Sequence, residues 1–384
     1  MTSRRKFLVG GGLLAVAAAG GFAYPLYKQL FPTPPELGFD LSEDELATAV
    51  ALLAKYPAID THAHPGRTFV KDAENLTWKL KIYASLGTFE NRVIEDMIAG
   101  GMTAAGFAAV DDFPLLNAEK HGLSSVRDYA EGEAWAIYQS QINHLKALIK
   151  SGLVYPVLTP DDIALAKASG KPGAFLSVEG ANFLQDDLSR VNKVYADGVR
   201  LITAVHYLKG GPIGDVMTEE PVHKGLTGFG REAISELQKV GIIVDIAHAS
   251  EKTAFDALKI AKKPMVATHT HISTPKLNHS RFISMELAKA ITDTGGFIGA
   301  WPAGFGGITT LAQFLERTED LVENIGIDHV ALGTDMDANY KPVWANYRKT
   351  PWVVGGLLKR GWSEEDVAKV IGGNFMRVFK AVQV

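Results

Sequence analysis

The sequence contains no cysteine among its 384 residues. This absence excludes disulfide bonds, thiolate metal ligands, a cysteine nucleophile and a lipid attached to an N-terminal cysteine. It does not decide the cellular compartment, because proteins on either side of a bacterial inner membrane can lack cysteine. Any metal site in this chain therefore has to be built from nitrogen and oxygen ligands.

Basic residues are not grouped into a block beyond the extreme N-terminus, and the formal net charge is -4. The sequence therefore lacks the clustered positive charge that is typical of nucleic-acid-binding proteins. No Gly-x-Gly-x-x-Gly loop opens a helix, which disfavours a dinucleotide-binding sheet. The composition, 47% hydrophobic and 21% charged, is that of a globular protein with material for a large core.

The N-terminus carries the features of an export signal. A basic cluster at 4–6 precedes a charge-free run at 7–27 that is rich in glycine and alanine. The stretch "SRRKFL" resembles the twin-arginine signal of bacterial export. Residues 1–30 are interpreted as this signal or as an N-terminal inner-membrane anchor, because the run is just long enough to span a bilayer. We expect a periplasmic or otherwise extracytoplasmic protein that uses the twin-arginine export machinery.

Beyond this segment, short apolar stretches alternate with amphipathic ones. Residues 31–45 are rich in proline and polar residues and are interpreted as a linker, and 46–384 as one domain. Apolar strands that alternate with helices indicate parallel βα units, with a sheet that is buried on both faces. Eight such strands predict an α/β fold, the (β/α)8 TIM barrel, and an open doubly wound sheet is the alternative.

The eight predicted strands are the segments 58–62, 103–110, 173–180, 199–206, 241–248, 264–271, 295–301 and 329–335. A further apolar segment at 155–160 leaves the strand count open.

Seven side chains that can bind metal lie at the ends of these segments. In a barrel the carboxyl ends of the strands converge on one mouth, where active sites lie. Packing does not explain seven such residues there, and imidazole with carboxylate suits Zn2+ and similar divalent cations. The seven residues are His62, His64, Glu179, His206, His248, His269 and Asp335.

Strand alternation predicts which of these side chains share a face. His62 and His64 are two residues apart and should point the same way, with Asp60 beside them or one layer deeper. Asp245 and His248 have opposite parity. If His248 faces the barrel interior, we expect Asp245 to face the helices and to be structural.

The histidines also suggest a two-metal arrangement. His62 can pair with His64, and His248 with His269, while the two oxygens of Glu179 can bridge two metals. Two metal ions about 3.5–4 Å apart can hold a hydroxide between them and polarise a carbonyl group.

Six stretches, in matching order, resemble the membrane dipeptidase (renal dipeptidase-like) family, metallopeptidase family M19, among the amidohydrolase-type metal barrels. The resemblance covers about residues 56–380, and its most specific part is the fourth stretch. The stretches are "IDTHAHPG", "FLSVEGANFL", "GVRLITAVHY", "GLTGFGREAISELQKVGIIVDIAHAS", "PMVATHTHIS" and "HVALGTDMDAN".

The resemblance implies a metallo-dipeptidase with two divalent metal ions, expected to be Zn2+. It implies that His62 and His64 bind one ion, that His248 and His269 bind the other, and that Glu179 bridges them. A metal-bridged hydroxide would then attack the peptide bond of a dipeptide.

The resemblance also assigns roles to three further residues. His206 would contact the substrate and stabilise the oxyanion, Asp335 would handle protons, and Arg281 would bind the terminal carboxylate of the substrate. One position departs from the family pattern, which is commonly His-x-Asp, whereas this chain has His62-Ala63-His64. Imidazole in place of carboxylate makes the site more positive by one charge, which bears on the metal preference and on the substrate.

The sequence thus predicts an exported, zinc-dependent dipeptidase with a small dipeptide-like substrate, and leaves a homodimer open. Two alternatives stay open as well. One is an amidohydrolase that acts on a non-peptide amide, a lactone or an ester. The other is a non-catalytic periplasmic metal-binding protein.

Overall fold

The computed structural model describes residues 34–383, except 72, 74–75, 77, 79, 82–88, 120–121, 276 and 340. The predicted export segment at 1–30 lies outside the described residues. Among the helices within this part of the chain, none combines the length and the apolar character needed to cross a membrane.

Eight parallel strands close into a barrel, which confirms the predicted fold. Each strand pairs with its neighbours in chain order, and the last strand pairs with the first. The strands are β1 (Ile59–Ala63), β2 (Ala104–Val110), β3 (Gly173–Glu179), β4 (Val199–Thr203), β5 (Ile243–Asp245), β6 (Met265–Thr270), β7 (Ile298–Ala300) and β8 (Val330–Leu332).

Seven of the eight predicted segments contain a whole strand, and the first, 58–62, covers β1 except for Ala63. The segment at 155–160 contributes only Tyr155–Pro156, which pairs with β3 outside the closed barrel. A two-stranded antiparallel hairpin, Leu116–Glu119 with Gly122–Ser125, follows β2.

Helices surround the barrel and cover the outer faces of its strands. Residues 36–37 pair with the start of α9, so the chain contacts the barrel layer before α1 begins. The helices are α1 (Glu43–Lys55), α2 (Phe89–Gly100), α3 (Glu133–Lys150), α4 (Asp162–Ser169), α5 (Ser189–Ala196), α6 (Gly228–Val240), α7 (Glu251–Ile260), α8 (Met285–Asp293), α9 (Leu311–Ile325), α10 (Thr350–Lys359), α11 (Glu364–Ala368) and α12 (Asn374–Gln383).

Apolar side chains near the amino ends of the strands fill the bottom of the barrel. They pack against Phe375 and Phe379 of α12, and the Phe175 and Phe375 rings stack with centroids 4.7 Å apart. The C-terminal helix therefore closes the barrel at the end opposite the predicted site. The strand residues of this layer are Ile59, Ala104, Phe175, Leu201, Ile243, Val266, Phe297 and Ala331.

The next inward positions along the strands are small or polar. A Cβ atom on Gly299 or on Gly333 would lie 1.7 Å from the carbonyl oxygen of Thr268, so these strands approach too closely for any larger residue. The Thr61 hydroxyl lies 3.0 Å from that same oxygen and 2.9 Å from the Leu332 carbonyl oxygen, and its single hydrogen can point to either. This layer, two residues after the apolar one, lies between the apolar bottom and the carboxyl ends of the strands.

Asp245 belongs to this inner layer, so the expectation that it faces the helices is wrong. It lies two residues after Ile243, and its carboxylate accepts hydrogen bonds from Thr203 on β4 and Thr268 on β6. Burial raises the pKa of Asp245, and the hydrogen bonds from the two threonines oppose that rise. Strand alternation did not apply to His248, because β5 ends at Asp245.

The packing of α12 under the barrel generates a stability prediction. Phe375→Ala is expected to lower the free energy of unfolding by about 3–5 kcal/mol, because it leaves a cavity among fully buried side chains. Urea unfolding followed by tryptophan fluorescence measures this loss. Leu165→Ala on α4 is the control, since Leu165 is 51% exposed. A loss at position 375 no larger than at position 165 would contradict the packing described.

Candidate metal centre

Five imidazoles surround one buried carboxylate at the mouth of the barrel. Glu179 is the last residue of β3 and is 3% exposed. The structure therefore brings together the histidines that the sequence placed at separate strand ends. Their Nε2 atoms lie 3.0–3.5 Å from the Glu179 oxygens: His62 (3.4 Å), His64 (3.4 Å), His206 (3.3 Å), His248 (3.0 Å) and His269 (3.5 Å).

The histidines approach one another in the two expected pairs. The Nε2 atoms of His62 and His64 are 3.1 Å apart, and those of His248 and His269 are 3.0 Å apart. The pairs adjoin, because the His62 and His269 rings stack with centroids 4.2 Å apart. The pairing of β1 with β2 shifts register between Asp60 and Ala63, at the point where the first pair leaves the strand.

Asp60 does not join the histidines. Its carboxylate accepts hydrogen bonds from the backbone of Thr334 at 2.9 Å and from the Tyr347 hydroxyl at 2.8 Å. Burial raises its pKa to about 6, although hydrogen bonds from Thr334 and Tyr347 oppose that rise. Asp60 therefore connects β1 to the segment after β8.

Asp335 does reach the site. Its Oδ1 lies 3.4 Å from Nε2 of His64, and its backbone N–H donates to the His62 carbonyl oxygen. Asp335 has a φ of 54°, in the left-handed region where residues other than glycine are uncommon. Such backbone strain is often found at functional sites. The nearby Asp337 instead accepts a hydrogen bond from the Gly66 backbone, which holds the loop after β1.

The Asp112 carboxylate holds His206 in place. Nδ1 of His206 is 2.6 Å from Oδ1 of Asp112, while Oδ2 accepts a hydrogen bond from the Tyr207 backbone at 2.9 Å. Burial lowers the pKa of His206, but Asp112 and Glu179 outweigh this effect and raise it. Asp112 was not predicted from the sequence, although it lies two residues beyond the end of β2, at the same end of the barrel as the predicted residues.

Arg281 is buried beside the second histidine pair. Its Nη2 lies 3.0 Å from Nε2 of His248, and its Nη1 donates to the Ala247 carbonyl oxygen. The guanidinium carbon is 5.3 Å from the centroid of the Trp301 ring. The loop between β6 and α8 thus places the positively charged guanidinium group of Arg281 at the edge of the site.

The electrostatic surroundings of His248, His269 and Glu179 favour the protonation states that bind metal. Burial lowers the pKa of His248 and of His269 well below the ordinary value, and the charge of Arg281 adds to this effect. Burial alone would raise the pKa of Glu179, but the surrounding histidines hold it well below its usual range. Neutral imidazole and ionised carboxylate are the forms that bind metal.

His64 behaves differently from the second pair. Burial opposes a charge on its ring, but the carboxylates of Asp335 and Glu179 outweigh that effect and raise its pKa to about 10. A proton on His64 thus balances part of the negative charge of the two carboxylates. A bound cation would take over that balance, since metal binding to such ligands releases protons.

The donor set fits a divalent metal centre. Three overlapping groups each bring their ligand atoms within 4.8 Å of one another. All donors are imidazole nitrogens or carboxylate oxygens, which suit Zn2+ and neighbouring divalent ions. The groups are His62 with Glu179 and His269, His62 with His64 and Asp335, and Glu179 with His206 and His248.

The family model that describes membrane dipeptidases, peptidase family M19, matches residues 46–384. The chain belongs to the membrane dipeptidase family. The match confirms the resemblance found in the sequence and the enzyme class of metallo-dipeptidase. A requirement for divalent metal follows from this metallopeptidase family and agrees with the donor set.

The chain is also similar to individual proteins and to solved structures. The dipeptidase tcpJ of Claviceps purpurea is 29% identical over 230 residues, which are 58% of this chain and 54% of that protein. The dipeptidase verJ of Clonostachys rogersoniana is 25% identical over 356 residues, 89% of this chain and 88% of that protein. The crystal structure of an amidohydrolase from Pseudomonas aeruginosa matches 87% of this chain and 99% of its own, with 26% identity and a TM-score of 0.68.

The contact between Asp112 and His206 makes a testable prediction for this membrane dipeptidase family member. Asp112→Asn is expected to lower kcat for a dipeptide by about tenfold or more, because an amide group no longer fixes the imidazole as a carboxylate does. Steady-state kinetics with the metal content measured in parallel test this expectation.

Asp111→Asn is the matched control. The Asp111 carboxylate accepts hydrogen bonds from Asn182 and Phe183 instead of from a histidine. Burial and the charge of Asp112 raise the pKa of Asp111 to about 8, so asparagine resembles its neutral form. Equal losses of kcat in the two variants would show that Asp112 has no specific role.

Proposed function

We propose that this protein is an exported, zinc-dependent dipeptidase that hydrolyses the peptide bond of small dipeptides. One observation carries the proposal. A single ionised carboxylate, Glu179, lies within 3.5 Å of five imidazole nitrogens that come from the ends of four strands. A buried carboxylate with a structural role is satisfied by backbone N–H groups and hydroxyls, as Asp245 is, whereas a shared metal centre needs a converging set of side chains that can bind metal.

Two zinc ions would be held by residues of the two pairs. His62 and His64 would hold one ion, His248 and His269 the other, and Glu179 would be a ligand common to both. When bound, such ions supply Lewis acidity toward a carbonyl oxygen and activate a water molecule near neutral pH.

The protein side chains then position the substrate and move protons. Asp335 lies beside the first pair, where its carboxylate can accept a proton from the attacking water and pass it to the leaving amine. His206, oriented by Asp112, can donate a hydrogen bond from Nε2 to the oxygen on which negative charge develops. Both residues are therefore proposed as catalytic.

Arg281 is proposed to bind the terminal carboxylate of the dipeptide. Its guanidinium lies against His248, so a carboxylate that it holds would lie next to the second pair. An arginine fork can bind a carboxylate through two parallel hydrogen bonds. This contact would select substrates with a free C-terminus close to the scissile bond, as in a dipeptide.

The proposed location rests on the N-terminal sequence alone. The basic cluster at 4–6 and the following apolar run support twin-arginine export to the periplasm, with or without retention at the inner membrane. Export of the folded protein would let the site acquire its metal before it crosses the membrane.

One experiment tests the proposed activity and its metal requirement together. The purified protein, loaded with Zn2+, is expected to contain about two metal ions per chain and to hydrolyse members of a panel of L,L and L,D dipeptides. Removal of metal with a chelator should abolish hydrolysis, and added Zn2+ should restore it. Asp335→Asn is expected to lower kcat at least about 100-fold while it preserves the metal content.

Each outcome has a definite meaning. Fewer than about one metal per chain after loading would overturn the two-metal proposal. Slow hydrolysis of all dipeptides beside rapid hydrolysis of other amides, lactones or esters would favour the broader amidohydrolase activity. Unchanged hydrolysis in Asp335→Asn would remove Asp335 from its proposed role.

A further inference from the structure

A fully buried carboxylate lies below the metal centre and contacts none of the proposed ligands directly. Asp245 accepts four hydrogen bonds: from the backbones of Ala247 at 3.0 Å and Thr268 at 2.9 Å, and from the hydroxyls of Thr203 and Thr268 at 2.7 Å each. The two backbone donors meet Oδ1 and the two hydroxyls meet Oδ2. The carboxylate thus joins β4, β5 and β6 within the polar layer of the barrel.

One of these two hydroxyls also contacts a histidine of the site. Oγ1 of Thr268 lies 3.0 Å from Nδ1 of His269. A hydroxyl has one hydrogen to donate, and an ionised carboxylate can only accept. Since the hydrogen of Thr268 goes to Asp245, its oxygen accepts from His269, and Nδ1 of that ring must carry the proton.

This hydrogen-bond chain determines the tautomer of His269. With the proton on Nδ1, the lone pair of His269 lies on Nε2, the atom that points to Glu179 and His248. We propose that Asp245 and Thr268 act as a positioning pair that fixes His269 as a metal ligand. This inference rests on the proposed metal site, and it adds two residues that neither bind the metal nor contact the substrate.

Not every imidazole of the site has a hydrogen-bond partner at Nδ1. Nδ1 of His64 lies 3.2 Å from the Ala108 carbonyl oxygen, which also favours a proton on Nδ1. Within the described part of the chain, Nδ1 of His62 and Nδ1 of His248 have no hydrogen-bond partner. Each adjoining histidine pair therefore contains one ring whose Nδ1 faces a hydrogen-bond acceptor.

The barrel supplies a matched control for the test. Thr203 and Thr268 are both fully buried, and both donate to the same oxygen of Asp245 at the same distance. Thr203→Val and Thr268→Val therefore remove equivalent hydrogen bonds with nearly the same change in shape. Only the second removes the acceptor for Nδ1 of His269, and Thr268→Ser keeps it.

Competition with a chromophoric chelator measures the affinity of the metal-free protein for Zn2+. Thr268→Val is expected to weaken Zn2+ binding at the site formed by His248 and His269 about 10- to 100-fold, the usual effect of losing an outer partner of a ligand. Thr203→Val should lose similar thermal stability and keep its affinity, and Thr268→Ser should restore the affinity. Equal losses of affinity in the two valine variants would overturn the proposal and leave Asp245 as a purely structural group.

A second measurement decides the question without metal. Long-range 1H–15N spectra of histidine-labelled, metal-free protein report which ring nitrogen carries the proton, and the His269→Asn spectrum identifies the His269 signal. The Nδ1–H form is expected in the natural protein and in Thr203→Val, with mixed forms in Thr268→Val. An Nε2–H form in the natural protein would contradict the pair, whereas a lack of Zn2+ binding beside the Nδ1–H form would contradict only the proposed metal site.

Discussion

The structure of the barrel mouth depends on one buried charge. Glu179 is ionised and almost completely excluded from solvent, a state that costs free energy unless the charge is compensated. Five imidazoles surround that charge, and their Nε2 atoms all lie 3.0–3.5 Å from the Glu179 oxygens. A cluster of imidazoles around one buried carboxylate is an unfavourable way to build a core but a suitable way to hold divalent cations.

The rest of the fold keeps this cluster rigid. The apolar bottom of the barrel, sealed by α12, supplies packing energy at the opposite end from the site. Between the two lies the polar layer, in which Asp245 and the threonines connect neighbouring strands by short hydrogen bonds. Above it, Asp112 holds His206 and the strained Asp335 backbone presents a carboxylate to His64. Side chains that are positioned by strands and by supporting hydrogen-bond partners are held more precisely than side chains on loops.

Much of this arrangement could be predicted from the sequence. The eight strand segments were recognisable because parallel barrel strands are buried on both faces and so appear as nearly continuous apolar runs. The site residues were recognisable because a polar side chain that ends such a run has no packing explanation. The family model matches residues 46–384, which agrees with the family resemblance found in the sequence.

The wrong and the missing predictions concern residues in or next to the turns that follow the strands. Asp245 was expected on the outer face because its parity was counted from His248, yet the chain turns between the two residues. Asp112 was missed because it lies in the turn after β2 and acts on His206, a residue distant in sequence. Contacts between loops, such as that of Arg281 with His248, depend on conformations that no periodic pattern encodes.

The central claim is that Glu179 is shared by two metal ions. The most direct test is an anomalous difference map, recorded above and below the zinc absorption edge, from crystals of the protein loaded with Zn2+. The account predicts two peaks, one on each side of the Glu179 carboxylate, with one beside His62 and His64 and the other beside His248 and His269. A single peak, or peaks away from Glu179, would contradict it.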